Sequence, residues 1–255
     1  SITKRKGRRQ LKMQLGINPG LRKLVVQPVQ LDYSKVFNHI EALGWTAVNT
    51  RSTKDGQWGM LSLRGYSSDP RKAGKPAEEC GPRVQAGDTV FTGPNVALDS
   101  NFVKEKIYGG YEFEVEYLNE GGELQNCSIR YGDVFNIIEE ILEPLPCEFQ
   151  RIRFAKLEAG AFLEPHTDAI DQSFGLQDGE IARIAVPLQT NEKATFSVYP
   201  QGKDGPERQM HLELGHYYYT DVKGWHSIAN KGDTDRIHLL IDCVSNKDLR
   251  RLLLQ

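Results

Sequence analysis

From residue 148 to residue 242 the chain runs through one short extended segment after another, with no helical pattern between them. Residues 148–157, 181–188, 195–199, 208–214, 216–220, 225–229 and 236–242 read as strands, all but 208–214 carrying β-branched or aromatic side chains, and are punctuated by Gly, Pro, Asn or Asp. Many short strands without intervening helices point to a sandwich, a barrel or a jelly roll. There is no internal repeat and no low-complexity tract.

The first half reads differently. Residues 1–23 concentrate Lys4, Arg5, Lys6, Arg8, Arg9 and Lys12 with little apolar periodicity, as a flexible basic arm would. Residues 24–147 are expected to form an α/β part that makes one globular unit with the strand-rich residues 148–255. After Val25 and Val26, Asp32 or Ser34 can cap a helix carrying Val36, Phe37, Ile40 and Leu43 and ending at Gly44. Residues 45–49 and 58–63 read as strands, and 67–87 has the Pro, Gly and charge content of a lid-like loop. A helix over 133–142 would present Val134, Phe135, Ile137, Ile138, Ile141 and Leu142 on one broad face, and Pro144 would stop it.

Charge and cysteine usage narrow the partners. In 255 residues, 32 Lys and Arg against 34 Asp and Glu leave a net charge of -2, so no whole-chain field draws the protein to nucleic acid or membrane. The basic arm also lacks aromatic residues interleaved with its charges, which argues against a nucleic-acid partner. Cys80, Cys127, Cys147 and Cys243 include no CxxC pair, so they read as free thiols of a reducing cytoplasm rather than a zinc ribbon or a disulfide framework. No apolar run is long enough to span a bilayer, and the start lacks the apolar run of a signal peptide, so a cytoplasmic location is expected. Neither a GxGxxG fingerprint nor a Walker loop is present, which removes nucleotide cofactors.

Five of the six histidines lie in the strand-rich half. In Glu164-Pro165-His166-Thr167-Asp168 an imidazole and a carboxylate sit two residues apart and share a face in extended chain. They supply two legs of the two-histidine, one-carboxylate triad that leaves open positions on non-haem iron. Alone, the pair is equally a surface histidine beside a solvated Asp, or an Asp capping a turn. His226 in the next-to-last strand supplies the third leg, and Arg236 follows ten residues later. A turn through Lys231, Gly232 and Asp233 would lay the two strands antiparallel and bring Arg236 near the metal. An arginine suits that place because 2-oxoglutarate can chelate iron at one end while its distal carboxylate needs a fixed bidentate donor. The competing role for Arg236 is a surface ion pair with Asp233 or Asp235. His238 reads as a neighbour of the site or a hydrogen-bonded core histidine, His211 and His216 as turn residues, and Tyr217, Tyr218 and Tyr219 as alternating faces of a sheet.

Taken in order, His166, the run Arg183-Ile184-Ala185-Val186-Pro187-Leu188, then Gly215-His216-Tyr217-Tyr218-Tyr219-Thr220-Asp221, His226, Asn230 and Arg236-Ile237-His238-Leu239-Leu240-Ile241-Asp242 resemble the aspartyl/asparaginyl β-hydroxylase family. Bacterial proline cis-4-hydroxylases are similar too. The resemblance covers about residues 150–243. It implies a mainly β chain with flanking helices, folded as a double-stranded β-helix of the jelly-roll, cupin-like kind. It also implies Fe(II) on His166, Asp168 and His226, and 2-oxoglutarate on Arg236 and Arg183, with O2 as oxidant and ascorbate as a reductant in vitro. Two departures stand out: the aspartyl hydroxylases proper have a glycine where this chain has Asp168, and the family's histidine two residues after the arginine is Ala185 here. A full triad also argues against a halogenase, which needs the carboxylate position vacated for chloride.

The implied activity is hydroxylation of a C–H bond in an amino acid or a derivative of one. Trp58, Arg64 and Arg153 are candidate substrate contacts, the arginines suiting a carboxylate. A hydroxylase of protein Asp, Asn or Pro side chains is the alternative within the family. Outside it stand a non-catalytic jelly-roll module that binds metal or sugar, and a cupin enzyme that does not use 2-oxoglutarate.

Overall fold

In a computed structural model the described residues are 20–30, 32–34, 37, 46–47, 57–65, 90–91, 97–98, 105–107, 111–117, 124–130, 133–168 and 175–255. The strands among them are β1 (Leu21–Lys23), β2 (Thr46–Ala47), β3 (Trp58–Gly65), β4 (Val90–Phe91), β5 (Ala97–Leu98), β6 (Glu105–Ile107), β7 (Tyr111–Tyr117), β8 (Leu124–Arg130), β9 (Phe149–Leu157), β10 (Phe162–His166), β11 (Ile181–Gln189), β12 (Ala194–Val198), β13 (Arg208–Met210), β14 (Tyr218–Thr220), β15 (His226–Asn230) and β16 (Arg236–Val244). Helices α1 (Asp133–Leu142) and α2 (Lys247–Leu254) are the ones described along their whole length.

The last eight strands divide between two antiparallel sheets. One carries the order β14-β11-β16-β9, the other β10-β15-β12-β13, and the chain passes back and forth between them. Residues from both sheets meet in one core, with Ala155, Leu157 and Tyr218 from the first packing with Leu163, Phe196, Val198 and Ile228 from the second. This is the double-stranded β-helix. The larger sheet continues past β9 through β3, β8, β7 and β6, so the first half of the chain extends the same sheet.

Side-chain alternation explains why β9, β11 and β16 show no simple polar-apolar pattern. Their Ile152, Phe154, Ile184, Val186, Leu239 and Ile241 face Ile138 and Ile141 of α1 and Leu249 and Leu253 of α2. Their other face, including Arg151, Arg153, Arg183, Arg236, His238 and Asp242, points between the two sheets and is equally buried. The three tyrosines alternate as expected: Tyr217 and Tyr219 join the helix-side core, and Tyr218 the inter-sheet core.

Several expectations are corrected. The arm expected over 1–23 ends sooner, because Leu21–Lys23 pairs antiparallel with β14 and buries Leu21. Residues 1–19, the 67–87 loop and most of the helix around Phe37 lie outside the described residues. The strand expected over 208–214 keeps only Arg208–Met210, after which Leu212 drops into the core and residues 213–215 turn. Helix α2 was not assigned from sequence, although Asn246 caps it by accepting hydrogen bonds from Asp248 N at 2.9 Å and Leu249 N at 2.8 Å. Strands β15 and β16 are not a hairpin. β15 pairs with β10 and β12, β16 with β11 and β9, and residues 231–235 carry the chain from one sheet to the other. Asn230 fixes that crossing: its buried amide donates to the carbonyls of Leu157, Glu158 and Thr234 at 3.1, 3.1 and 2.9 Å.

The turn at Gly215 admits no side chain. Its φ is +73°, and a Cβ there would run into the Val29 carbonyl oxygen, which neighbours the 2.9 Å bond from Val29 N to Gly215 O. Gly215→Ala is expected to destabilise the protein by about 2 kcal/mol or more. Urea denaturation checks this, and a loss under about 0.5 kcal/mol would show the turn to be relaxed.

Candidate metal centre

Pro165 creates the position of the first histidine. β10 is an edge strand, where a missing N–H is tolerated, and the pairing with β15 shifts register between Leu163 and His166. Leu163 faces the core, so strict alternation would send His166 outward. The irregularity at Glu164-Pro165 turns it back, and it lies directly across from His226. The two rings sit 4.3 Å apart between centroids, and Phe196 stacks on His226 at 5.5 Å and 5°.

Hydrogen bonds set both tautomers. His166 Nδ1 is 2.7 Å from Glu164 O, and His226 Nδ1 is 2.9 Å from Gly224 O. A carbonyl only accepts, so each Nδ1 carries the proton and each Nε2 presents a lone pair. Asp168 follows, its backbone N–H donating to Val222 O at 2.8 Å. Its Oδ1 lies 3.6 Å from His166 Nε2 and 3.9 Å from His226 Nε2. The three ligand atoms all fall within 4.8 Å of one another. Two neutral imidazoles and a carboxylate are the donor set of non-haem iron, so the residues fit the metal that the sequence implies.

The charges agree. Burial pushes the His226 imidazolium down to about 4, against the opposing pull of Asp168, so at neutral pH its Nε2 is free of protons. Burial pushes the Asp168 carboxyl up, but Arg183, His226 and His166 outweigh it and hold it below the usual range.

Beneath the three ligands lies a cluster of buried arginines. Asp242 accepts from Arg151 Nε at 2.8 Å, Arg153 Nη1 at 3.1 Å and Arg183 Nε and Nη2 at 2.8 and 3.3 Å. Arg183 Nη1 donates to Asp168 Oδ2. Burial raises the Asp242 carboxyl, yet the three guanidiniums hold it far below the carboxylate range. Burial and Arg183 lower Arg153 to about 10, and its Nε–H has no partner among the described residues.

Arg236 is different. It is 3% exposed and faces the inter-sheet core, and among the described residues no carboxylate pairs with it. Its Nη2–H donates to His238 Nδ1 at 2.9 Å, which leaves the His238 proton on a buried Nε2 with no partner among the described residues. Burial alone lowers the guanidinium to about 9. Asp235 does not pair with it; that carboxylate accepts from Ala159 N at 3.0 Å.

Of the expected substrate contacts, Trp58 is core, 8% exposed and opposite Leu157, while the Arg64 side chain lies outside the described residues. Sequence reasoning gave no role to Asp242 or Arg151. The sequence offers only an acid near the end of an apolar strand; that it stands opposite Arg183 comes from the strand pairing.

Comparisons with known proteins bear on the family. Solved structures similar to this chain include an oxidoreductase of the 2OG-Fe(II) oxygenase family from Burkholderia pseudomallei, at 14% identity, 56% of this chain, 72% of that one and a TM-score of 0.37. A prolyl-4-hydroxylase from Pseudomonas putida is similar at 15% identity, 53% of this chain, 73% of that one and a TM-score of 0.30. A cupin domain from Bordetella pertussis follows at 16%, 36%, 79% and 0.26. No curated protein matches the sequence. The aspartyl/asparaginyl β-hydroxylase family model matches residues 109–246, more than half of the chain and all of the double-stranded β-helix. A match of that extent, over the strands that bring two histidines and a carboxylate together, places the chain in the aspartyl/asparaginyl β-hydroxylase family, as a non-haem iron, 2-oxoglutarate-dependent oxygenase.

Proposed function

We propose that His166, Asp168 and His226 hold the iron, that Arg236 anchors the distal carboxylate of 2-oxoglutarate, and that the enzyme hydroxylates a C–H bond of an amino acid or amino-acid derivative. The observation that carries this is the Arg236 charge, buried on the inter-sheet face of β16 with no carboxylate among the described residues to answer it. A buried cation without a partner is costly unless a ligand supplies the anion. Fe(II) bound at the triad, with 2-oxoglutarate and O2, supplies the oxidation that puts one oxygen atom into substrate as the co-substrate becomes succinate and carbon dioxide. The protein contributes two lone pairs aimed by the Glu164 and Gly224 carbonyls, one carboxylate oxygen, and the Phe196 ring stacked on His226.

Arg153 supports an acidic substrate. It is 4% exposed, its charge reaches Asp168, and its Nε–H has no partner among the described residues, so a substrate carboxylate would satisfy it.

Succinate release from 2-oxoglutarate, with Fe(II) and ascorbate, tests the reading. His166→Ala is expected to cut release on the order of 100-fold or more. Amino acids and short peptides, each scored for the mass of one added oxygen, identify the substrate. With that substrate in hand, Arg153→Gln is expected to raise its KM on the order of 10-fold and leave the KM for 2-oxoglutarate near wild type. Metal binding without any binding of 2-oxoglutarate would sink the oxygenase assignment.

A further inference from the structure

We infer that Arg183 is a positioning residue for the metal ligand Asp168, a clamp that holds one carboxylate oxygen so that only the other is offered to the metal; this rests on the metal-centre reading above. The guanidinium uses two edges. Nε and Nη2 close on Asp242 at 2.8 and 3.3 Å, while Nη1 donates to Asp168 Oδ2. Asp168 Oδ1, by contrast, faces His166 Nε2 and His226 Nε2 at 3.6 and 3.9 Å. The two oxygens of one carboxylate are thus committed to different tasks.

Anchoring runs from the inside outward. Side-chain exposure rises from 1% at Asp242 to 6% at Arg183 and 28% at Asp168. Arg183 and Asp242 are directly opposed on β11 and β16, so the sheet itself sets the guanidinium plane. A planar fork held at one edge has little freedom at the other, and Asp168 inherits that fixity. A carboxylate can bind a metal through one oxygen or through both. With a cation on Oδ2, a metal gains nothing by approaching that oxygen, since the positive charges repel. Single-oxygen binding keeps positions free for a chelating co-substrate and for O2. Relatives with glycine at this position have no carboxylate to clamp, so this role of the arginine belongs to chains with the full triad.

Co(II) is the probe. Metal-free full-length protein is titrated with Co(II) in competition with a chelator, and the visible absorption reports the ligand geometry. Arg183→Met is expected to weaken Co(II) binding on the order of 10- to 100-fold and to change the absorption, and Arg183→Lys to recover part of the loss. In a double-mutant cycle, Arg183→Met added to Asp168→Ala is expected to cost nothing further, because the arginine acts only through that carboxylate. Additive losses, or wild-type affinity and absorption in Arg183→Met, would overturn the clamp. So would unchanged Co(II) binding with weakened binding of 2-oxoglutarate to the Co(II)-loaded protein, which makes Arg183 a co-substrate anchor. If circular dichroism shows Arg183→Met unfolded, the same cycle is read with Arg183→Lys, which keeps a cation for Asp242. Failure of the wild-type protein to bind Co(II) is a separate result and removes the metal-centre reading itself.

Discussion

Asp242→Asn, a change of one atom, is expected to destabilise the folded protein by about 3–5 kcal/mol at pH 7. Asp242 is fully buried on β16 and is the shared acceptor of Arg151, Arg153 and Arg183. Asparagine keeps the shape but presents one acceptor oxygen instead of two and no charge, so three guanidiniums lose their common counter-ion in a medium that screens poorly. The pH dependence has a definite sign. The folded-state carboxyl is held far below its ordinary value, so its contribution is complete above the unfolded carboxyl range of about 4 and is lost as pH falls below it. Denaturation midpoints should therefore separate the two proteins most at neutral pH and converge as pH drops from about 5 toward 2. A pH-independent difference, or one below about 1 kcal/mol at pH 7, would show that the cluster is not held by this charge.

Asp242 also shows where sequence reading stops. His166, Asp168, His226 and Arg236 are legible in a bare sequence because each residue type carries its chemistry with it, and strand spacing brings the first two together. The importance of Asp242 lies in its neighbours, and those sit 91, 89 and 59 positions away in the chain. Only the pairing of β9, β16 and β11 reveals it. The same limit explains the mistaken hairpin. Two extended segments joined by Lys231-Gly232-Asp233 have the composition of a tight turn, yet Asn230 ties its own strand end to Leu157 and Glu158 in the opposite sheet. A side-chain amide with two long-range carbonyl partners overrides a local turn preference. The fold class was easier to read, since alternation and turn residues recur over nearly a hundred positions, and the burial of β11 on both faces follows once α1 and α2 cover the sheet.

Arg236→Met should make the protein more stable and useless to its co-substrate. In the ligand-free protein the guanidinium bears a burial cost that no carboxylate among the described residues offsets, and the drop to about 9 expresses that cost. Below that pH the folded protein carries the charge in full and the penalty is complete; only at higher pH, as the group loses its proton sooner in the folded than in the unfolded chain, would it be relieved. Methionine fills much of the same volume without the charge, so the variant is expected to gain about 1–4 kcal/mol in urea denaturation at pH 7. Its side chain offers nothing to a distal carboxylate, and binding of 2-oxoglutarate to the metal-loaded protein should weaken on the order of 100-fold. The melting temperature supplies the matching pair of readouts: 2-oxoglutarate should raise it in the wild-type protein by mass action and leave the variant unmoved. A less stable Arg236→Met protein would mean that the guanidinium already has an anionic partner in the fold. An unchanged affinity would mean that the distal carboxylate is held elsewhere. The two failures point to different errors, because the cost of the buried charge and its use by a ligand are separate claims about the same side chain.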